Sequence, residues 1–256
     1  MVDGKAISNR VTAAEAKLQQ RRIFFAHQSV GGNIMDGVAA LQQEPDAPRL
    51  RVLEIKGQLP ATDGPFLAHA RLGQNGDPRS KTEAFITALE SGLGRTADVA
   101  MQKYCYVDID AKTDVSQLFT YYRDAMARLH REFPQLTIVH VTTPLVRVQS
   151  GPKALVKRLL GRAPDHYEDN IARNRYNDLL RREYASREPV FDLAAIEASR
   201  PGGSPEPFQF KGVDVFELRA EYTTDGGHLN ADARRRVAGD FLSFLAGVVD
   251  QTPPTR

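Results

Sequence analysis

The sequence has a single cysteine, Cys105, so it can form no internal disulfide and no cysteine-based zinc site. That scarcity suits a reducing compartment without demanding one. It has no stretch near the roughly 20 apolar residues that a membrane-spanning helix needs. An excess of one charge sign is missing too. Against 34 Lys and Arg stand 32 Asp and Glu, and the resulting +2 gives no footprint for nucleic acid. At 41% hydrophobic residues, the chain is too apolar and too evenly charged to be disordered. Met1 to Lys5 lack the basic region and apolar core of a secretory signal. The compartment stays open between the cytoplasm and, for a processed chain, the exterior.

What is present is an alternation of short apolar runs with helical periodicities. Ile23-Phe24-Phe25-Ala26 reads as a buried strand, and Ile34, Val38 and Leu41 follow at helical spacing. Further strands are expected at Leu50 to Ile55, Ala97 to Met101, Leu136 to Val141 and Val190 to Leu193. The stretch after Ile55 reads as a loop rich in Gly and Pro. Helices are expected from Ser80 to Leu93, along the face marked by Val115, Leu118, Phe119, Tyr122, Met126 and Leu129, and from Glu168 to Tyr184. The last begins near Asn230, a good N-cap. Phe208 to Leu218 suits a small hairpin. Five strands separated by helices predict a three-layer α/β/α sandwich around a mainly parallel sheet. Residues 1–20 are expected as a helical N-terminal extension, 21–250 as one α/β domain and 251–256 as a frayed tail.

Ligands of such sheets bind beyond the C-terminal strand ends. Directly after the first strand comes His27-Gln28-Ser29-Val30-Gly31-Gly32. Ser29 there reads either as a helix cap or as a nucleophile beside free backbone amides able to hold an oxyanion. Near the C-terminus stands Asp225-Gly226-Gly227-His228. An Asp three residues before a His can fold back onto the imidazole, fix its tautomer and leave the other nitrogen free as a base. The alternative is a turn aspartate and a loop histidine. Taken together, Ser29, Asp225 and His228 have the chain order and chemistry of nucleophilic acyl transfer.

With a serine after the first strand, a glycine-bearing loop after the second and Asp-x-x-His before the last helix, the chain resembles the SGNH, or GDSL-type, hydrolase superfamily, from about Arg22 to Leu245. The resemblance implies a flavodoxin-like sandwich and a serine esterase with Ser29 as nucleophile, His228 as general base and Asp225 as its orienting partner. It also implies an oxyanion hole made by the Ser29 amide, a glycine amide from Leu72-Gly73-Gln74-Asn75-Gly76 and an asparagine side chain from a third block. Gly73 is the first choice for the glycine and Gly76 the next. The third block reads Gln102-Lys103-Tyr104-Cys105-Tyr106-Val107-Asp108 and has no asparagine, which leaves Asn75 or a side chain of that segment as its replacement. The nucleophile block also departs, with His-Gln-Ser-Val in place of Gly-Asp-Ser-Leu.

Other residues have plainer readings. His27 is either a substrate contact or a structural histidine, and Cys105 reads as a small apolar filler beside a buried strand rather than as a rival nucleophile. Asp108 and Asp110 read as a solvated loop end rather than a metal site. Asp192 is left between orienting a loop and orienting the site. His69, His130, His140 and His166 have no recognisable partner, and the basic stretch from Lys153 to Arg162 suits a lid, an anion site or a solvated face. The expected function is removal of a short acyl group, such as acetyl, from a hydroxyl of a glycan or small metabolite, with no metal or organic cofactor. The alternatives are an acyltransferase on the same fold and a catalytically silent carbohydrate-binding module. An α/β-hydrolase is the nearest enzymatic competitor, and the position of Ser29 after only one strand argues strongly against it. Oligomeric state is not set by the sequence.

Overall fold

A computed structural model of the chain describes residues 14, 16–44, 49–56 and 64–252. Six strands form one sheet: β1 (Arg22–His27), β2 (Val52–Glu54), β3 (Phe66–Arg71), β4 (Val99–Gln102), β5 (Thr137–Val141) and β6 (Val190–Phe191). All neighbours are parallel, in the order β2–β3–β1–β4–β5–β6. The three-layer α/β/α sandwich is therefore as expected, with one strand more than the five expected. The extra one is β3, which lies in the stretch read as a loop and pairs with β1 along its full length. Its Phe-Leu-Ala-His-Ala-Arg sequence puts a histidine and an arginine inside a short apolar run, so neither continuous apolarity nor alternation marks it.

Seven helices of six residues or more, numbered below, and one hairpin flank the sheet among the described residues. These are α1 (Ser29–Leu41), α2 (Pro78–Ala88), α3 (Val115–Glu132), α4 (Pro152–Leu159), α5 (Tyr167–Tyr184), α6 (Leu193–Ala198), the antiparallel hairpin β7 (Pro207–Phe210) and β8 (Val213–Phe216), and α7 (Ala231–Gln251). Successive residues of β1 point to opposite faces, so Phe24 and Phe25 enter different cores. Phe25 packs with Met101, Val139 and Phe191 beneath α1 and α7. Phe24 packs with Ala68, Ala100 and Ile138 beneath α2, α3 and α5. The contact of α1 with α7 depends on Gly37, where a Cβ would lie 2.2 Å from the Arg234 carbonyl oxygen.

Helix starts follow the capping rule. Asp77, Asp114, Asp192 and Asn230 each accept a backbone N–H of the helix they open. Asp192 also accepts both Nε and Nη2 of Arg181, at 2.7 and 2.8 Å, so it orients the start of α6.

After β5 the chain from Thr143 to Gln149 forms no regular ladder, and buried side chains supply part of its backbone hydrogen bonding. Asn177 bonds both the N–H and the C=O of Thr143, at 2.7 and 2.9 Å. Asn170 does the same for Val146, and Glu197 accepts the Leu145 N–H at 2.7 Å. This segment forms one wall of the cleft described below. Of the expected N-terminal extension, Ala14 and residues 16–18 are helical, and residues 1–13 and 15 lie outside the described residues. Of the expected frayed tail, Gln251 closes α7, Thr252 bonds Val248 and Thr137, and residues 253–256 lie outside the described residues.

Candidate active site

Ser29 is the first residue of α1, immediately beyond the C-terminal end of β1. The cap position belongs to Gln28, and neither side chain caps the helix. Gln28 reaches sideways instead, donating from Nε2 to the carbonyl oxygens of Leu72 and Gly73 at 3.1 and 2.8 Å. That clamps the loop after β3 against the start of α1. Among the described residues the Ser29 hydroxyl has no hydrogen-bond partner, and the N–H groups of Ser29, Val30 and Gly31 have no acceptor. A half-buried serine at an uncapped helix start thus sits beside three free donors where the helix dipole favours negative charge.

The loop before α7 folds as the spacing suggests. A bridge between Thr223 and Leu229 closes it, and Gly226 takes the left-handed conformation at φ +89°. Asp225 Oδ1 accepts the N–H groups of Gly227 and His228 at 2.9 and 2.8 Å, and Oδ2 lies 2.7 Å from His228 Nδ1. Burial pushes the Asp225 carboxyl up, but the two backbone donors and the imidazole outweigh it and hold it well below the usual carboxylate range. The other imidazole nitrogen, Nε2, faces the Tyr106 hydroxyl at 3.4 Å, and the two rings meet edge to face. A Cβ on Gly227 would lie 2.8 Å from the Tyr106 ring, so the glycine makes this approach possible.

The two halves are joined one helical turn into α1. Asn33, buried and on the same face as Ser29, accepts the backbone N–H of Leu229 at 3.1 Å. Residues four apart on a helix lie about 6 Å from one another, so the bond ties the His228–Leu229 segment to the helix face that Ser29 shares. The structure makes no hydrogen bond between Ser29 and His228.

The second and third blocks are tied by Asp108. It is buried and accepts the N–H of Gly76 at 2.8 Å, the N–H of Cys105 at 2.5 Å and Lys81 Nζ at 2.5 Å. The solvated loop end expected at Asp108 is therefore a buried ion pair, and the signal absent from the sequence is its partner Lys81, 27 residues away. Gly76 has its N–H engaged, and Asn75 accepts Lys81 Nζ at 3.0 Å. Gly73 keeps an uncommitted N–H at φ +69°, and a Cβ there would lie 2.5 Å from the Lys81 Cα.

His27 is 2% exposed. Its Nδ1 lies 2.9 Å from the Gln28 carbonyl oxygen and its Nε2 lies 3.0 Å from His69, so both nitrogens are used inside the protein. Burial lowers its pKa to about 3. Cys105 is fully buried, with Sγ 3.7 Å from the buried Lys103 ammonium.

A cleft of about 610 Å³ opens beside His228, bounded by Tyr106, Arg147, His166, Arg173 and the 225–228 loop. Ser29, Gly73 and Asn75 are not among its lining residues. Arg173 is held under the cleft by Nε to the Tyr106 carbonyl and Nη1 to Asn170, both at 2.8 Å, and burial lowers its pKa to about 10. Among the described residues one set of side chains has metal-type spacing, His130, His140 and Glu188, away from this cleft. Both imidazole Nε2 atoms bond Glu188 Oε2 at 2.8 Å, and Tyr122 bonds His140 Nδ1, which satisfies the group as a hydrogen-bonded cluster.

No protein-family model matches the sequence, and no curated protein matches it. Solved structures do resemble the fold. A peptidoglycan O-acetylesterase superposes at a TM-score of 0.55, with 10% identity over 96% of each chain. A GDSL-like lipase from Bacteroides thetaiotaomicron gives 0.49 at 10% identity, over 95% of this chain and 97% of that one. The periplasmic domain of a lipopolysaccharide acetyltransferase from Salmonella ser. Paratyphi A gives 0.48 at 12% identity, over 97% and 90%. The sheet order, the serine at the start of α1 and the Asp-His loop before α7 accompany that likeness, and the chain has the α/β sandwich fold of that O-acetylesterase, consistent with an SGNH-like fold.

Proposed function

We propose that the chain is a serine esterase that removes a short acyl group from a hydroxyl, with Ser29, His228 and Asp225 as its triad. The observation that carries this reading is the 2.7 Å Asp225–His228 pair, held by Asn33 to the helix that Ser29 opens. Ser29 Oγ attacks the ester carbonyl carbon while His228 Nε2 takes its proton. Nδ1–H stays on Asp225, whose depressed pKa keeps it an anion throughout. The oxyanion accepts hydrogen bonds from the Ser29 and Gly73 amides, both uncommitted. His228 then protonates the leaving alcohol, and the acyl-enzyme forms. Water, deprotonated by His228, breaks the acyl bond and returns the serine.

In place of the asparagine of the third block, the Tyr106 hydroxyl supplies the remaining donor, since it already stands at the base nitrogen. Gly76 fits that role less well because Asp108 takes its N–H, whereas Asn75 has only its oxygen engaged, by Lys81, and its Nδ2 is the competing donor. An acetyl ester of a glycan suits the O-acetylesterase likeness and the open cleft beside His228, which Arg147, Asp165, His166 and Arg173 border. An acyltransferase would differ only in the alcohol that replaces water.

The test is hydrolysis of acetyl and butyryl aryl esters by the wild type and by Ser29→Ala, with and without an added alcohol acceptor. The proposal expects loss of about 10³-fold or more in kcat for the variant. Equal rates would sink it. Acylation of the added alcohol in preference to water would favour the transferase.

A further inference from the structure

The surface beside the cleft carries a feature the esterase reading does not use. α4 presents Leu155, Val156, Leu159 and its C-cap Leu160 at 59, 55, 79 and 67% exposure. Seven large apolar side chains are exposed among the described residues, and these four come from one helix and its end. At 3.6 residues per turn, they fall on one side of α4, opposite Ala154, its one buried residue. The helix therefore leans on the protein through Ala154 and turns its apolar face outward, which is the reverse of a core-facing helix.

Its charges are as one-sided. From Gly151 to Pro164 the sequence has Lys153, Lys157, Arg158 and Arg162 and no acidic residue, twice the net charge of the whole chain. Lys153 and Lys157 flank the apolar face on one edge and Arg158 on the other. Lys157 is paired to Asp165 at 2.5 Å, and Arg158 lies over the Phe208 ring. The tip of the β7–β8 hairpin extends the surface, for Lys211 Nζ bonds the Gly161 carbonyl at 2.7 Å and Val213 is exposed beside it in sequence.

We infer that α4 and the β7–β8 tip dock this protein onto an anionic lipid surface. A short helix with a protruding apolar face rimmed by Lys and Arg lies in the headgroup plane. Apolar side chains enter the acyl boundary there and the cations meet lipid phosphates. The helix follows directly on Gln149 and Ser150, which line the cleft, and Asp165 and His166 return to it. Docking by this face sets the His228 cleft at the membrane, where an acylated substrate carried by a lipid would be presented. The docking surface itself does not depend on the triad.

The test is flotation of the full chain with vesicles of phosphatidylcholine alone and with about 30% phosphatidylglycerol. Three variants are compared: Leu155→Ser/Leu159→Ser/Leu160→Ser, Lys153→Gln/Arg162→Gln, and Ser29→Ala. The expected result is binding to the anionic vesicles at least about tenfold tighter than to phosphatidylcholine, weakened by high salt. Both surface variants lose it by about tenfold or more, at unchanged melting temperature, and Ser29→Ala keeps it. Absence of wild-type binding, or equal binding by the leucine variant, overturns the inference. So does a lipid-free dimer, seen by sedimentation, that the leucine variant abolishes, because that outcome assigns the face to a second copy of the chain.

Discussion

Asn33 Oδ1 accepts the backbone N–H of Leu229 at 3.1 Å, joining positions 196 residues apart in the chain. One residue belongs to the helix that opens with Ser29, and the other follows His228. The bond ties the His228 loop to α1, alongside the Arg147 N–H on the Gly226 carbonyl and Arg234 Nε on the Leu229 carbonyl, both at 2.8 Å. Replacing Asn33 by Leu leaves a buried N–H without an acceptor, at a cost of about 1–3 kcal/mol. Asn33→Leu is expected to lower both the melting temperature and kcat, while Asn33→Asp, which keeps an acceptor oxygen, restores most of the kcat. Recovery of stability without recovery of kcat would separate Asn33 from the positioning of His228.

Asp225→Asn tests the orienting role with little change of shape. The amide can present its NH2 where Oδ2 now meets Nδ1, and the imidazole then places its proton on the wrong nitrogen. Ester hydrolysis is expected to fall about 10³–10⁴-fold in kcat, with KM and melting temperature near those of the wild type. A loss confined to KM would contradict the role.

Tyr106→Phe removes only the hydroxyl that stands 3.4 Å from His228 Nε2. As an oxyanion donor it is worth about 10²-fold in kcat. Steady-state kinetics should show that loss without a change in KM. An unchanged kcat would leave the hole with the Ser29 and Gly73 amides alone.

Stability should decline in mild acid. Burial lowers the pKa of His27 to about 3, and burial also pulls His69 and His140 below the ordinary histidine value. Below about pH 6.5 the unfolded chain takes up protons that the folded one refuses, so each imidazole costs up to about 1.4 kcal/mol per pH unit. Glu188 acts in the same direction. Burial pushes it up, but His130 and His140 outweigh burial and bring it down to about 2, so its contribution fades as pH falls below the ordinary glutamate value. Glu197 acts the other way, since burial raises its carboxyl to about 8 and the folded chain takes up its proton before the unfolded one does. With the three imidazoles and Glu188 outweighing it, melting temperature measured from pH 7.5 to 4 should show a net fall below about pH 6.5. A flat profile would contradict these burial effects.

Much of the fold was legible because continuous apolar runs such as Ile23 to Ala26 and the stripe from Val115 to Leu129 announce their period. β3 was not, because His69 and Arg71 break its pattern while its partners in β1 and β2 supply the order. Asp225 and His228 were readable from three-residue spacing, since a local bond needs only a local turn. Asn33, Asp108 with Lys81, and Arg173 under Tyr106 were not, because their partners are remote in sequence. The one advance signal for Asn33 was its position four residues after Ser29, on the same helical face.

The most direct measurement of the central claim is labelling by a fluorophosphonate probe followed by peptide mapping. The account predicts one modified residue, Ser29, with labelling abolished in Ser29→Ala and strongly slowed in His228→Ala. Unlabelled wild type, or a label carried by another residue and indifferent to His228, would contradict it.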